Sequence, residues 1–426
     1  MTLRTRHIME QIKRGNVPEG YKKTKVGIFP AGWDVYMIGD CLSRVERPVE
    51  VKPNELYTQI GIRSHGKGLF YKESVTGAAL GNKSVFWVEP DCFIVNIVFA
   101  WEQAIGKTTQ SEVGMIGSHR FPMYRPVNDR VDIDYLISYF LTKRGTDILE
   151  AASPGGAGRN KTLGQERFLK SKIVLPPIEE QQKIAAILTT QDKVIELKEK
   201  RLAEKQRQKK YLMQQLLTGK KRLPGFSEEW KIKPLKKLTE KQKKKNHGFQ
   251  YRLVLSNSAQ HGIVSQDQEF DKEIANEERI DGYYVVIPGA FVYNPRISVT
   301  APCGPINVNE TGETGIMSPL YTVFTISSPQ ISQDFLKYYF QSSCWYKYVK
   351  EVANYGARHD RISISDGDFF DMPIPLPTKE EQSYIAEVLS AADREIDLLR
   401  QDIEQEKQKK KALMQLLLTG IVRVKT

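Results

Sequence analysis

Residues 176–219 read PPIEEQQKIAAILTTQDKVIELKEKRLAEKQRQKKYLMQQLLTG, and residues 377–420 read PTKEEQSYIAEVLSAADREIDLLRQDIEQEKQKKKALMQLLLTG. A shift of 201 positions aligns the two stretches without a gap and places Gln181 on Gln382. A repeat of this length defines the architecture before any local pattern is considered. It predicts two similar halves, each closed by a long helix.

Shorter landmarks ahead of each helix recur in the same order in both halves. Residues 93–96 (FIVN) match residues 291–294 (FVYN), and residues 114–118 match residues 315–318 with one residue inserted. The segments between the landmarks differ almost completely, which is typical of a shared scaffold that carries different surface residues. At the start of the chain, residues 8–15 resemble the helix end at 212–219, although so short a match can arise by chance.

Length and composition restrict the class of protein. A chain of 426 residues exceeds one typical core, so two or more domains are expected. No apolar run approaches the ~20 residues that a membrane span needs, and the N-terminus lacks a secretory apolar segment. The four cysteines are far apart and form no CxxC pair, which argues against a disulfide framework or a structural zinc site. We therefore expect a cytoplasmic protein without a membrane partner.

The formal net charge of +12 indicates a polyanionic partner. Local concentrations occur at residues 220–222 and 243–245. Charge of this kind is also compatible with solvated helix faces and soluble linkers. The duplicated, modular layout favours a nucleic acid.

Apolar residues in the two repeated stretches recur at the 4-3 spacing of a narrow coiled-coil seam. The first helix is predicted from about residue 178 to residue 217, roughly 60 Å at 1.5 Å per residue. Charged residues interrupt the seam in both copies: Lys198, Lys205, Lys209, Glu406 and Lys410. Neither helix can bury its seam alone, so we expect the two to pack antiparallel. A plain coiled coil without partner subunits fits the same residues.

The helix ends carry recognisable signals. Thr378 followed three residues later by Glu381 has the form of a capping box. Gly219 and Gly420 stand where C-terminal caps belong.

With these features, the chain resembles the specificity subunits of type I restriction–modification systems. The resemblance rests on the Pro-rich helix entries at 175–181 and 375–382, the two Leu-Leu-Thr-Gly helix ends, and Trp33 and Trp230 at the module starts. It covers almost the whole chain. It implies an α+β fold: a tandem pseudo-repeat of two mixed α/β target recognition domains joined by two long antiparallel coiled-coil helices.

The resemblance also implies a division into five segments. These are an N-terminal segment resembling a helix end (1–19), target recognition domain 1 (20–174), a central conserved helical spacer (175–222), target recognition domain 2 (223–374) and a C-terminal conserved helical spacer (375–426).

The implied function is recognition of a DNA sequence. Each domain would read one half of a bipartite site on double-stranded DNA, while the helices set the spacing and dock two methyltransferase subunits, which motor–nuclease subunits join. No cofactor is expected in this chain, because S-adenosylmethionine, ATP and Mg²⁺ would belong to the partner subunits. The two docking faces differ where Gln182 corresponds to Ser383 and Ala186 to Glu387.

The helix length is compatible with a spacing role. Half-sites read from one face of a duplex lie about 34–36 Å apart, a separation that a helix of roughly 60 Å can span. We expect a one-turn insertion after Lys205 to change the spacing between half-sites and to leave the half-site sequences unchanged.

Base reading requires polar and basic side chains on loops, and phosphate contacts require Lys, Arg or backbone amides. In the first domain the loop candidates are Arg63, Ser64, His65, Lys67, Asn82, Lys83, Arg120, Arg159, Asn160 and Lys161. In the second domain they are Ser256, Asn257, Ser258, Gln260, His261, Arg296, Arg358, His359 and Arg361. Any one of them alone is compatible with an ordinary surface position.

Residues shared by both halves are expected to be structural, because the two domains would read different sequences. Asn96 and Asn294 occupy matching places within apolar strands. The aromatic pairs at 139–140 and 339–340 are expected to lie in the core.

Catalytic motifs are missing or incomplete. Residues 61–68 (GIRSHGKG) nearly form a phosphate-binding P-loop, but Gly68 replaces the Ser or Thr that ligates magnesium. Residues 175–178 (LPPI) lack the leading Asn or Asp of an amino-methyltransferase motif, and no two histidines stand at metal-ligand spacing. We therefore predict a non-catalytic subunit with no catalytic or metal-binding residues.

Three alternatives remain open on sequence grounds. One is a nuclease or methyltransferase with a diverged site. Another is a coiled-coil scaffold that binds only protein. The third is the specificity subunit of another restriction class, paired with a fused methylase–nuclease.

Overall fold

The computed structural model of the protein describes residues 3–155, 161–266, 277–354 and 360–425. The chain divides into two compact units: Met1–Lys198 with Asp402–Thr426, and Glu199–Gln401. The central helix, Ile178–Leu216, and the C-terminal helix, Lys379–Leu417, each contribute residues to both units. The predicted length of the first long helix is thereby confirmed.

The first unit combines short strands with short helices. Its strands are Tyr21–Thr24, Gly27–Pro30, Asp34–Met37, Leu42–Val45, Leu56–Tyr57, Ile60–Ile62, Leu69–Tyr71, Val75–Thr76, Val85–Trp87, Phe93–Val95, Ile105–Lys107, Ile116–Ser118, Met123–Pro126 and Lys172–Leu175. Besides the long helices, its α-helices are Leu3–Lys13, Gly77–Leu80, Ile133–Phe140, Lys143–Ala151 and Gln165–Lys170. Its 3-10 turns are Ile38–Asp40, Ala100–Glu102 and Gln110–Glu112.

The second unit is built in the same way. Its strands are Lys231–Pro234, Thr239–Lys241, Leu255–Ser258, Gly262–Ser265, Tyr284–Val286, Phe291–Tyr293, Ile306–Val308, Gly315–Met317, Thr322–Ile326 and Pro373–Leu376. Within the described part of this unit, the short α-helices with full bounds are Gln333–Gln341, Tyr346–Val352 and Asp366–Phe370, and the 3-10 turns are Leu235–Lys237, His247–Phe249 and Glu277–Gly282.

Each unit has an antiparallel four-stranded sheet at its centre, with the same strand order. In the first unit the order is Ile105–Lys107, Phe93–Val95, Met123–Pro126, Leu42–Val45. In the second it is Ile306–Val308, Phe291–Tyr293, Thr322–Ile326, Thr239–Lys241. The predicted tandem pseudo-repeat of mixed α/β domains is confirmed at the level of topology.

Aromatic residues fill both cores. Phe93, on the sheet, packs against Phe140 and Phe168 at centroid distances of 5.6 and 6.2 Å. Phe291, at the matching place, stacks on Phe324 at 5.3 Å. The paired aromatics at 139–140 and 339–340 are all buried, as predicted. Such rings bury large apolar areas and dominate the stability of small cores.

A buried glutamine joins each long helix to its unit. The Gln181 amide donates to the carbonyls of Arg130 (2.9 Å) and Pro176 (2.8 Å), and its oxygen accepts from the Asp132 amide (3.0 Å). Asp132 is the N-cap of the helix Ile133–Phe140. The side chain is therefore satisfied by three backbone groups.

Gln382 repeats this arrangement in the second unit. It donates to the carbonyls of Gln330 (2.8 Å) and Pro377 (3.0 Å) and accepts from the amide of Ser332 (2.7 Å), which caps Gln333–Gln341. We call Gln181 and Gln382 the joint glutamines. Their identity in both repeats thus has a structural cause.

The glutamate that precedes each joint glutamine is also buried, and it fixes the module start. Glu180 accepts hydrogen bonds from the Trp33 indole (3.2 Å) and from the Arg423 guanidinium (2.6 and 2.7 Å). In the second unit Glu381 accepts from Trp230 (2.9 Å) and from Arg222 (2.6 and 2.7 Å). A buried carboxylate is tolerated here because it is paired and fully hydrogen-bonded.

This arrangement corrects the capping-box prediction. Thr378 does accept a hydrogen bond from the Glu381 amide (3.3 Å). The Glu381 carboxylate, however, does not return to the cap, because Arg222 and Trp230 hold it. The two glycine caps are confirmed: Gly219 and Gly420 adopt φ angles of +70° and +72°.

Within the first unit, the start of the central helix runs antiparallel to the end of the C-terminal helix. Lys198 contacts Asp402 (2.8 Å) and Glu406 (2.9 Å), and Lys410 contacts Asp192 (2.5 Å). Hydrogen bonds from Lys198 and Gln191 lower the pKa of Glu406 to about 2. The charges that interrupt the seam are therefore paired.

The second unit pairs the remaining parts of the same helices in the same sense. Lys205 contacts Glu395 (2.9 Å), and Lys209 contacts Asp393 (2.5 Å). Leu216 and Leu389, on the apolar side of these helices, lie in one core cluster with Phe335 of the short helix Gln333–Gln341. The predicted antiparallel packing is confirmed inside each unit.

Neither long helix is apolar enough to cross a membrane, and the same holds for every other helix among the residues described.

Candidate nucleic-acid interface

Each unit presents the same pair of side-chain-capped turns. After the strand Phe93–Val95, the Asn96 side-chain oxygen accepts a hydrogen bond from the Val98 amide (3.1 Å). After the strand Phe291–Tyr293, Asn294 accepts from the Arg296 amide (3.0 Å). Asparagine stabilises a turn in this way by bonding to the backbone two residues on. The predicted structural role of both asparagines is confirmed.

A serine holds the second turn of each pair. Ser118 accepts from the Arg120 amide at its side-chain oxygen (3.3 Å) and from the Phe121 amide at its carbonyl (2.8 Å). Ser318 accepts in the same way from Leu320 (3.4 Å) and Tyr321 (3.1 Å). We call the two types the asparagine turn and the serine turn.

Strand pairing brings the serine turn next to the start of another strand in each unit, Ile60–Ile62 in the first and Leu255–Ser258 in the second. Ile116, just before one serine turn, bridges to Gln59 in parallel, and Ile316 bridges to Val254 in the same manner. In the first unit the two turns also touch, because the Ile97 amide donates to the Arg120 carbonyl (3.0 Å). Three chain segments therefore converge at one place in each unit.

A surface pocket opens at this place in the first unit, with a volume of about 420 Å³. Its cationic or titratable lining side chains are Lys72, Lys83, His119 and Arg120. The remaining lining residues are Gln59, Ile60, Val85, Asn96, Val98, Phe99, Ser118 and Phe121.

The matching pocket of the second unit has a volume of about 390 Å³. Arg296 and Arg361 lie at its wall, each with a guanidinium nitrogen 3.9 Å from the carboxylate of Asp360. The other lining residues are Ser256, Asn257, Ser258, Ala259, Gln266, Asn294, Pro295, Ile297, Ser298, Pro305, Leu320 and Tyr321.

Seven of the predicted DNA-contacting residues line these pockets: Lys83, Arg120, Ser256, Asn257, Ser258, Arg296 and Arg361. Asn257 differs from the rest because it is buried. Its amide donates to the Val292 carbonyl (2.7 Å), and its oxygen accepts from Asn307 (2.7 Å). These bonds give Asn257 a structural role in the wall of the pocket.

Other candidates lie outside the pockets. Arg63 stacks over Phe70 at 5.0 Å and donates to the Leu69 carbonyl, while Ser64 donates to Glu102 (3.0 Å). Lys161 lies 5.1 Å from the Trp101 ring. Five further candidates are exposed and have no such side-chain partner among the residues that the structure describes: His65, Lys67, Asn82, Gln260 and His261. Arg159, Asn160, Arg358 and His359 fall outside the described residues. A DNA contact by any of these residues stays a prediction.

Sequence reasoning missed several pocket residues. Lys72 and His119 are cationic or titratable neighbours of segments that were already selected. Val98 and Leu320 were missed because only polar and basic types were considered. Comparing the asparagine turns and the serine turns of the two units, rather than their sequences, would have revealed Val98 and Leu320.

The lining chemistry suits the edges and backbone of a nucleic acid. Guanidinium and ammonium groups can bind phosphates or guanine, and hydroxyl groups can pair with any base edge. Exposed aliphatic residues can contact the methyl group of thymine.

The comparisons with known proteins agree with this chemistry. The model of the type I restriction modification DNA specificity domain matches residues 84–206 and 227–408. The chain is 25% identical over 450 aligned positions to the putative type I restriction enzyme MjaX specificity subunit of Methanocaldococcus jannaschii, covering 96% of this chain and 98% of that protein. It is also 25% identical over 433 positions to the MjaVIII specificity subunit of the same organism, covering 96% and 97%.

Solved structures share the fold. The HsdS subunit from Thermoanaerobacter tengcongensis aligns with a TM-score of 0.53 at 17% identity, covering 92% of this chain and 98% of that one. A chain from a structural study of assembly and conformational transition in the type I R-M system aligns with a TM-score of 0.59 at 18% identity, covering 92% and 99%. With two matched domains that together span most of its length, the chain belongs to the family of type I restriction–modification specificity subunits.

Proposed function

We propose that each unit reads one half of a bipartite DNA sequence through its pocket and the loops around it. The observation that carries this proposal is the pair of pockets. They occupy the same topological position, are framed by the same two turns, and carry different side chains. A common frame with a different lining is what two readers of different half-sites require.

The test is a genome-wide map of methylated adenines in cells that contain the chain with its cognate methyltransferase, compared with cells that lack the chain. We expect a two-part motif with a fixed gap of unspecified bases, which disappears when the chain is deleted. A map in which no motif depends on the chain would contradict the proposal and favour a protein-binding scaffold.

The long helices are the proposed docking sites for methyltransferase subunits. Leu197 and Leu398, which the repeat aligns, are 57% and 65% exposed. Large apolar side chains that are exposed at equivalent positions of the repeat favour the binding of two copies of one partner, one copy at each position. We therefore propose two methyltransferase subunits per chain, joined in the full complex by motor–nuclease subunits.

Changing Leu197 or Leu398 to glutamate is expected to remove one methyltransferase subunit from the complex. A charge in the apolar centre of an interface opposes its burial. The mass of the purified complex, measured by native mass spectrometry, gives the copy number. Leu56→Glu is the matched control, because Leu56 is 70% exposed but lies on a strand of the first unit. Two bound copies in both helix variants would contradict this assignment.

The chain itself is proposed to be non-catalytic and to act in the cytoplasm. Family membership supports this, and S-adenosylmethionine, ATP and Mg²⁺ are accordingly assigned to the partner subunits. Incubating the purified chain with labelled S-adenosylmethionine and DNA tests the proposal. Methyl transfer without a partner subunit would contradict it.

A further inference from the structure

We propose that four residues determine which bases are read: Val98 and Arg120 in the first unit, and Arg296 and Leu320 in the second. The inference rests on the proposed reading of half-sites and names the positions at which the two units differ. Each residue stands third in a turn, two places after the asparagine or serine that caps it.

The backbone at these positions is held equally in both units. In the asparagine turns, the side-chain oxygen accepts from the amide of residue 98 or 296 (3.1 and 3.0 Å). In the serine turns, the hydroxyl accepts from the amide of residue 120 or 320 (3.3 and 3.4 Å). A fixed backbone with an unconstrained residue type is suitable for a specificity-determining position.

The residue types are exchanged between the units. In the first unit the asparagine turn carries Val98 and the serine turn carries Arg120. In the second the asparagine turn carries Arg296 and the serine turn carries Leu320. At these turn positions each pocket therefore has one arginine and one aliphatic side chain, and the two lie on opposite turns in the two units.

The surroundings leave three of these side chains exposed, and the fourth, Val98, is half-buried. Arg120 is exposed and has no ion pair or side-chain hydrogen bond within the described residues. Leu320 is 60% exposed although it is a large apolar residue. Arg296 is exposed, and its ion pair with Asp360 is long, at 3.9 Å. An exposed pair of this length contributes little to stability, so the guanidinium can turn to another partner.

Chemistry then assigns the bases. Arginine bonds to O6 and N7 of guanine with two hydrogen bonds, and an aliphatic side chain contacts the methyl group of thymine. Each half-site should contain one guanine contact and one thymine contact. The guanine contact should come from the serine turn in the first unit and from the asparagine turn in the second. The thymine contact should come from the opposite turn in each unit.

The test is an exchange of residues at aligned positions in the full chain, expressed with its cognate methyltransferase. Arg120→Leu should relax the requirement for guanine at one position of one half-site, reducing discrimination by about tenfold or more. The other half-site and the gap should stay unchanged. Leu320→Arg should add a preference for guanine in the other half-site only. Mapping of methylated adenines measures both effects.

Lys72→Leu is the matched control, because Lys72 lines the first pocket but lies on neither turn. We expect it to weaken methylation of all sites evenly and to leave the motif unchanged, as loss of a phosphate contact does. The proposal is overturned if Arg120→Leu keeps the guanine requirement or weakens all sites as Lys72→Leu does. Failure of half-site reading itself is distinguishable, since the unaltered chain would then yield no two-part motif.

Discussion

Replacing Gln181 with leucine is expected to lower the free energy of unfolding by about 2–4 kcal/mol, a large effect for one residue in a chain of this size. Leucine has nearly the same volume as glutamine but offers no hydrogen bonds. The carbonyls of Arg130 and Pro176 and the amide of Asp132 would each lose a partner. A buried backbone group left without a hydrogen bond costs about 1–3 kcal/mol. The total is expected to be smaller than the sum of three such costs, because the groups of Arg130 and Asp132 are only partly buried and can bond to water instead.

Urea unfolding of the purified chain measures the change, and hydrogen exchange localises it. Amides of the helix Ile133–Phe140 should exchange faster, because its N-cap has lost its contact to the central helix. Gln182→Leu is the control, since its exposed side chain lies next in sequence. Equal shifts in the urea midpoint for the two variants would show that the joint does not stabilise the unit.

Seven residues inserted into both long helices, after Lys200 and after Arg400, are expected to lengthen the gap in the methylated motif. Seven residues form one heptad, so the apolar seam continues in phase. The helices grow by about 10 Å, which limits the longer gap to about three additional base pairs at 3.4 Å each. Both half-site sequences should stay the same, because the pockets are untouched.

Both helices must receive the insertion, because the ion pairs on either side of the insertion points depend on the register between the two helices. Lys198 contacts Asp402 on one side of the insertion points, and Lys205 contacts Glu395 on the other. A heptad in the central helix alone would displace one set of pairs, so it is expected to reduce methylation at every gap length. Unchanged spacing in the matched variant would mean that the helices do not set the gap.

The parts of the fold that repeat could be predicted from sequence. A period of 201 residues and a 4-3 seam were sufficient to place the long helices and their antiparallel packing. The role of Glu381 could not be predicted in this way. Its spacing from Thr378 matches a capping box, but the carboxylate binds Arg222 and Trp230, which are distant in sequence. Local patterns do not show when a tertiary partner competes for the same side chain.

The candidate site was predicted only in part. Arg120 and Arg296 were selected as basic loop residues, and both lie at the pockets. Asn257 was selected for the same reason but is buried, because its side chain bonds to the strand Phe291–Tyr293 and to Asn307. Residue type indicates what a side chain can bind. Only the fold shows whether that capacity is already occupied.

The charge pairs between the long helices have a consequence for synthesis of the chain. The central helix leaves the ribosome long before the C-terminal helix that covers it, so nascent chains on one messenger carry unpartnered central helices. The repeat aligns Asp402 with Arg201 and Glu406 with Lys205. If two central helices paired in the native register, Lys198 would therefore face two cations instead of two carboxylates, a repulsive arrangement. The Lys198 contacts therefore disfavour pairing between two central helices and favour pairing with a C-terminal helix.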